Sequence, residues 1–282
     1  MIPFAAPAKV NLALDVLSRR ADGYHEVRMI NVSLALSDIL WAEPSGDLIL
    51  TSNVPELSLG EDNLILKAVR LLERETGRSL PLRFHLEKHI PLAAGLAGGS
   101  ADAAAAMKAC NTIYSLSFSD EELMRLGKEI GADVPYCLFQ KNALSEGIGE
   151  RLTELPKLPP CAVVLSKPRE AVSTKEVFQA LVLDENTVHP DIDGMIRSME
   201  QGNLAALGKR RGNLLETVTT KKLPVIRDLI RKLSGLGAFC AGMSGSGPTV
   251  FALFENAETA GEAFRTMQKD PASEETILTK II

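Results

Sequence analysis

Apolar and polar positions alternate along the opening stretch. Val10, Leu12, Leu14 and Val16 interleave with Asn11, Ala13 and Asp15, a period of two that predicts a strand. Arg20-Ala21-Asp22-Gly23 is a turn signal, and Val32, Leu34 and Leu36 then alternate again. Pro44-Ser45-Gly46-Asp47 divides two further short strands, around Ile39-Leu40-Trp41 and Leu48-Ile49-Leu50. From Asn63 to Thr76 the period turns helical, with Leu64, Ala68, Leu71 and Leu72 on one stripe and Gly77 as the stop. Leu82, Phe84 and Leu86 make another strand.

After Pro91 the glycine-rich turn Gly95-Leu96-Ala97-Gly98-Gly99-Ser100 opens into an alanine-rich helix, Asp102 to about Tyr114. Ser119 with Glu122 has the spacing of a capping box for a helix that Gly131 ends, and Ser173 with Glu176 repeats the signal. Between these two, Ala162 to Leu165 reads as a strand. Several helices occupy 190 to 235. Then come a strand at Ala238–Ala241, a glycine loop from Gly242 to Pro248, and a strand from Thr249 to Phe254. One helix and a last strand, Ile277 to Ile282, close the chain. Strands and helices mix without steady alternation, which predicts an α+β fold. At ~150 residues per domain the length suggests about two domains. The proline-rich stretch Pro156–Pro160 is the expected boundary, giving domains 1–155 and 156–282.

Composition narrows the function classes. Thirty-one Lys and Arg against 36 Asp and Glu leave a net charge of -5, without the cationic excess that grips a nucleic-acid backbone. A local site for one phosphorylated small molecule remains open. No apolar run approaches the ~18 residues of a membrane span. Lys9, Asn11 and Asp15 interrupt a start that otherwise faintly resembles a signal peptide. Cys110, Cys137, Cys161 and Cys240 form no CxxC pair, so they read as buried core thiols rather than metal or redox ligands. Free thiols point to the cytoplasm.

The strongest chemical signal is Pro91 to Ala106. Glycines let backbone N–H groups approach an anion, and a following helix aims its positive end at the same point. A tight strand-to-helix turn gives the same pattern. The loop carries no lysine between Lys88 and Lys108, so positive charge must come from a metal or from elsewhere in the chain. Asp102 reads as a cap or dipole partner of the helix start. A second loop, Gly242 to Pro248, has more glycine than a hairpin needs. Lys9 and Asn11 share one parity of the first strand and look outward from the core toward a common polar space, unless Lys9 is an ordinary solvated lysine. Asp133, between Ala132 and Val134-Pro135, is either a turn cap or a partly desolvated acid. Tyr24-His25 after the turn could stack on a base, or be an ordinary strand start. Lys209-Arg210-Arg211 reads as a solvated helix face.

Four segments in order carry a resemblance: PAKVNLALDVLSRRADGYHEV, IPLAAGLAGGSADAAAA, GADVPYCLFQKNALSEGIGE and MSGSGPTVFALF. They span nearly the whole chain, which resembles the GHMP family of small-molecule kinases. The PAK strand with DGYH, and GADVP with its downstream GxGE, resemble the branch acting on a cytidylated substrate. The resemblance implies a ribosomal protein S5 domain 2-like N-terminal domain, a ferredoxin-like C-terminal domain and an active site in the cleft between them. It implies ATP and Mg²⁺, and phosphorylation of the 2-hydroxyl of a cytidine diphosphate-linked methylerythritol in non-mevalonate isoprenoid synthesis. A homoserine or mevalonate type of kinase, or a non-catalytic nucleotide sensor, is the alternative. Partners are then ATP and the small-molecule substrate, with no nucleic acid or membrane, and the chain is a monomer or homodimer.

By the same resemblance Lys9 accompanies the catalytic acid and Asp133 is the general base. Pro91, Leu92, Ala93, Ala94, Gly95, Leu96, Ala97, Gly98, Gly99, Ser100 and Ala101 hold ATP phosphates, and Asn63 lies near the adenine. Asn11, Tyr24, His25 and Phe178 bind substrate, and Ser100 ligates the metal. The family commonly reads GLGGGSSDAA. Ala97 in place of glycine is acceptable only where no positive φ is needed. Ala101 removes a hydroxyl.

Overall fold

The computed structural model describes all residues, Met1–Ile282. In chain order the elements are β1 (Ile2–Arg19), β2 (His25–Pro44), β3 (Ile49–Ser52), α1 (Leu64–Thr76), β4 (Leu82–Glu87), α2 (Gly98–Ile113), α3 (Asp120–Gly127), α4 (Val134–Phe139), β5 (Ala143–Gly147) and β6 (Arg151–Glu154). They continue as β7 (Ala162–Lys167), α5 (Thr174–Ala180), α6 (Ile192–Glu200), α7 (Leu204–Arg210), α8 (Glu216–Lys222), α9 (Val225–Gly235), β8 (Cys240–Met243), β9 (Val250–Phe254), α10 (Ala257–Met267) and β10 (Glu275–Lys280). The fold is α+β, and its residues form two compact units that interleave along the sequence.

The first unit comprises 1–8, 36–92 and 97–140. Here the second half of β2 pairs antiparallel with β4, and β3 pairs parallel with β4. Helices α1 and α2 pack on each other, and α4 packs on α2 and α3. Ala103, Ala104, Ala105 and Ala106 are all buried, so the short side chains let α2 lie close to its neighbours. Asn63 caps α1 by accepting from the Ile65 amide, and Gly77 ends it in the left-handed conformation at φ +65°.

The second unit comprises 9–35, 93–96 and 141–282. The first half of β2 pairs antiparallel with β5, Val27 opposite Gly147, and β5 pairs with β6. A four-stranded antiparallel sheet runs β10-β7-β9-β8, with α9 and α10 packed on it. Its core gathers Val164, Ile226, Leu229, Val250, Phe254 and Ala263.

Several elements differ from the sequence pattern. β2 is one strand of 20 residues where two segments were expected, and β1 extends back to Ile2. Helix α2 begins at Gly98, ahead of Asp102, because the Ala97 carbonyl already accepts from the Ala101 amide. Helix α3 ends at Gly127, before the expected Gly131; a Cβ at Gly127 would lie 2.8 Å from Val134 Cγ1, so close packing fixes that glycine. The Ser119–Glu122 capping box is complete. At α5 only half of the expected box forms: Ser173 accepts from the Glu176 amide, while the Glu176 carboxylate lies 3.7 Å from Lys222 Nζ. Arg211 is not on a solvated helix face; it follows α7 and bonds Glu216 at 2.6 Å.

All four cysteines are free and buried. Burial pushes the Cys110 and Cys240 thiols up to about 12 and Cys161 up to about 11. A chromogenic disulfide reagent at pH 8 should therefore titrate less than about one thiol in the native protein. In denaturant it should titrate all 4.

Candidate active site

In the second unit, β1 carries Lys9 and Asn11 into the interior, at 4% and 1% exposure. They do not look outward and Lys9 is not solvated: the polar space they share is inside, because both faces of β1 are covered. Lys9 Nζ donates to Asn11 Oδ1 at 2.9 Å, Asn11 Nδ2 donates to Asn31 Oδ1 at 2.6 Å, and Asn31 Nδ2 donates to Ser145 Oγ at 2.7 Å. The chain of amides holds the ammonium with an oriented acceptor. The Lys9 backbone amide donates to Leu96 O at 3.1 Å, which ties the strand to the glycine-rich loop.

The second glycine loop closes on the same segment. Ser244 Oγ accepts from the Asn11 amide at 3.3 Å and donates to Gly95 O at 2.9 Å. A Cβ at Gly95, where φ is +73°, would lie 2.6 Å from Ser244 O and 2.9 Å from Gly247 O. Glycine is therefore required at 95 by both conformation and space. Asn213 Nδ2 donates to Met243 O and Gly245 O, and Thr219 Oγ1 to Ser246 O, so the Ser-Gly-Ser-Gly turn is itself braced.

Beyond β1, Tyr24 immediately precedes β2, at 58% exposure, on a turn held by Arg20, Asp22 and Glu26. His25 packs on Phe178, ring centroids 5.0 Å apart and inclined by 31°. Burial, and then the charge of Arg19, hold the His25 imidazole below its ordinary pKa, so it is neutral at pH 7. A neutral ring beside a second ring suits a flat, uncharged ligand.

In the first unit, Gly98, Gly99 and Ser100 form the first turn of α2, where helix geometry leaves backbone amides without partners inside the helix. Gly99 is exposed, and its Cβ position lies 3.5 Å from Leu64, the residue after Asn63. The loop carrying Asp133 comes close: a Cβ at Gly131 would lie 3.9 Å from Ser100 Oγ. Asp133 occupies the N-cap position of α4, and its side chain makes no hydrogen bond that caps that helix. Asp102 is not a cap either. It is buried and 2.8 Å from Lys88 Nζ, which also meets Asp38 at 2.5 Å. Burial raises the Asp102 pKa above the usual carboxylate range, opposed by Lys88 and reinforced by Asp38.

Two family models match this chain, the GHMP kinases N-terminal domain over residues 63–141 and the GHMP kinases C-terminal domain over 195–272. A 4-diphosphocytidyl-2-C-methyl-D-erythritol kinase of Lachnoclostridium phytofermentans is 45% identical, the match covering 99% of this chain and 97% of that one. The chain belongs to the GHMP kinase family. A crystal structure of 4-(cytidine 5'-diphospho)-2C-methyl-D-erythritol kinase aligns at TM-score 0.84 with 31% identity, covering 99% of each chain. Homoserine kinase from Cytophaga hutchinsonii aligns at TM-score 0.77 with 18% identity over 99% of this chain and 94% of that one, a likeness of fold alone.

This GHMP kinase is an ATP-dependent kinase of small molecules with two domains of mixed helices and sheets. No helix is long and apolar enough to cross a membrane. Sequence reasoning missed Asn31, Asp38, Lys88 and Ser145, single polar residues whose strands give no sign that both faces are covered. It also missed the 2.8 Å contact of His189 with the buried Asp15.

The condition placed on Ala97 fails: its φ is +58°, and that of Ala93 is +50°. The left-handed conformation costs an L-residue ~1–2 kcal/mol, against ~0.4–1 kcal/mol of extra chain entropy for glycine. Ala97→Gly should thus stabilise the protein by about 1 kcal/mol, raising Tm by about 2–4 °C in a thermal melt. An unchanged or lower Tm would remove strain from the description of this loop.

Proposed function

We propose that this kinase transfers the γ-phosphoryl of ATP to the tertiary 2-hydroxyl of 4-diphosphocytidyl-2-C-methyl-D-erythritol, a step of non-mevalonate isoprenoid precursor synthesis. The observation that carries the substrate is the His25–Phe178 ring pair, next to the exposed Tyr24. Cytosine is a flat base that such rings stack on; homoserine and mevalonate offer nothing to stack. The near full-length identity to the relative named for this substrate supports the same reading.

Phosphoryl transfer is mainly positioning and neutralisation of charge. Residues Pro91 to Ala101 orient the β- and γ-phosphates from backbone amides, with Asn63 near the adenine. Asn11, Tyr24, His25 and Phe178 hold the acceptor. Lys9 supplies positive charge to the transferring group, and Asp133 takes the hydroxyl proton. The half-exposed Ser100 hydroxyl, at the third position of α2, is a hard oxygen donor that suits Mg²⁺. Bound with the nucleotide, Mg²⁺ neutralises the phosphate oxygens. The boundary between the two family domains is taken at 155/156, with the matched segments 63–141 and 195–272 on either side of it. Four free thiols suit a reducing cytoplasm.

An ADP-release assay with ATP, Mg²⁺ and three acceptors tests the assignment. Release should require the cytidylated methylerythritol and stay at background with mevalonate or homoserine. Cytidine diphosphate should compete with the acceptor, and failure to compete would remove the stacking argument. Asp133→Asn should lower kcat at least ~100-fold while the Kd for ATP moves by less than about twofold. Unchanged turnover would take Asp133 out of the mechanism.

A further inference from the structure

The glycine-rich loop has no lysine of its own, yet an ammonium lies directly against it. Lys88 Nζ is 3.2 Å from where a Gly98 Cβ would sit, and Ile90 Cγ2 is 3.1 Å from the same point. The ammonium is buried at 4% side-chain exposure and held between Asp38 and Asp102. Two carboxylates already compensate its charge, so it is not placed to reach out to a phosphate.

The surroundings of Lys88 fix it in place. Asp38 Oδ1 accepts from the His89 and Ile90 amides at 2.5 and 2.8 Å, which locks the chain leaving β4. Asn53 bonds the Lys88 backbone on both sides, accepting from its amide at 2.8 Å and donating to its carbonyl at 3.3 Å. From this anchored point the side chain meets α2 twice, at Gly98 in the first turn and at Asp102 in the second. Asp102 Oδ1 is buried without a hydrogen-bond partner. A cluster serving stability alone would be better built from apolar side chains of similar volume. An arrangement that leaves a buried oxygen unpaired while indexing two turns of one helix to a fixed strand end serves placement.

We propose that Asp38, Lys88 and Asp102 form a buried strut that sets the first turn of α2, making Lys88 and Asp102 positioning residues for the phosphoryl donor. This rests on the reading of Pro91 to Ala101 as the phosphate-holding loop. The strut acts through the backbone of Gly98 to Ser100. Its loss shifts amides that touch ATP and leaves the acceptor's contacts alone.

Steady-state kinetics on the full chain, with ATP and acceptor varied separately and a thermal melt for each variant, test this. Asp102→Ala should raise KM for ATP at least ~10-fold, while KM for the acceptor stays within about twofold. Asp102→Asn keeps an oxygen for Lys88 and should restore KM for ATP to within about threefold of the parent. Lys88→Arg keeps the charge and both partners but presses a larger head against Gly98, and should give the same ATP-selective rise. It carries the test should the alanine variant not fold. Gly99→Val tests the underlying loop reading, because position 99 is exposed and has room for a side chain.

A rise in KM for ATP in Gly99→Val alongside an unchanged value in folded Asp102→Ala or Lys88→Arg overturns the strut and leaves the loop reading intact. No effect of Gly99→Val overturns the loop reading and the strut with it. A lower Tm with unaltered kinetics, an equal rise in both KM values, or an Asn variant as impaired as the Ala variant each overturns the positioning role.

Discussion

Backbone amides can serve an anion only where the chain that bears them is held still, and a loop of small residues has no side chains with which to hold itself. At Gly95, Leu96 and Gly98 the glycine-rich segment is held by groups from outside it. On the side of β1 and β8–β9, Ser244 grips the Gly95 carbonyl, and the Lys9 amide grips Leu96. At the start of α2, the anchored Lys88 head lies against Gly98. The glycines are necessary where the neighbour is backbone, as at Gly95, since a carbonyl oxygen cannot rotate away as a flexible side chain can.

The same logic explains why so many polar groups lie inside. Lys9, Asn11, Asn31 and Ser145 form a buried chain from the first strand to β5. Desolvating an ammonium is costly unless acceptors are fixed in advance, and each amide here accepts from one neighbour and donates to the next. A solvated lysine at position 9 would keep its charge but lose its aim. Burial with a defined partner trades stability for direction.

Elements with a strong local signal could be read from the sequence. The α1 stripe with its Gly77 stop, the Ser119–Glu122 box and the alternation of β1 all depend on neighbours in sequence, and they stand where the pattern puts them. Helix α4 could not be read: Val134, Pro135, Tyr136, Cys137 and Leu138 are all buried, so no polar face marks its period. Asp102 was misread for a related reason. Its position near a helix start is the same for a cap and for an ion pair, and only its proximity to Lys88 and Asp38, 14 and 64 positions earlier, separates the two. The glycine loop and Lys9 were legible as motifs, but the groups that bond them were not. Those groups are single residues, Asn31, Ser145 and Ser244, that come from far along the chain.

The alanines that depart from the family pattern follow from where their side chains point. Ala101 is buried at 1% in the core that α2 shares with α1. A hydroxyl there would have only the carbonyl one turn back as an acceptor, whereas a methyl group packs directly into the core. Alanine at 101 therefore suits the packing and leaves Ser100, one residue earlier and half exposed, as the hydroxyl of that turn. At 97 the balance runs the other way. The side chain contributes contact with the first unit's core, but the backbone is held at positive φ, so the residue accepts strain for rigidity. Both alanines thus remove freedom, at 97 because a Cβ narrows the backbone choices open to glycine and at 101 because a methyl group has no rotamers.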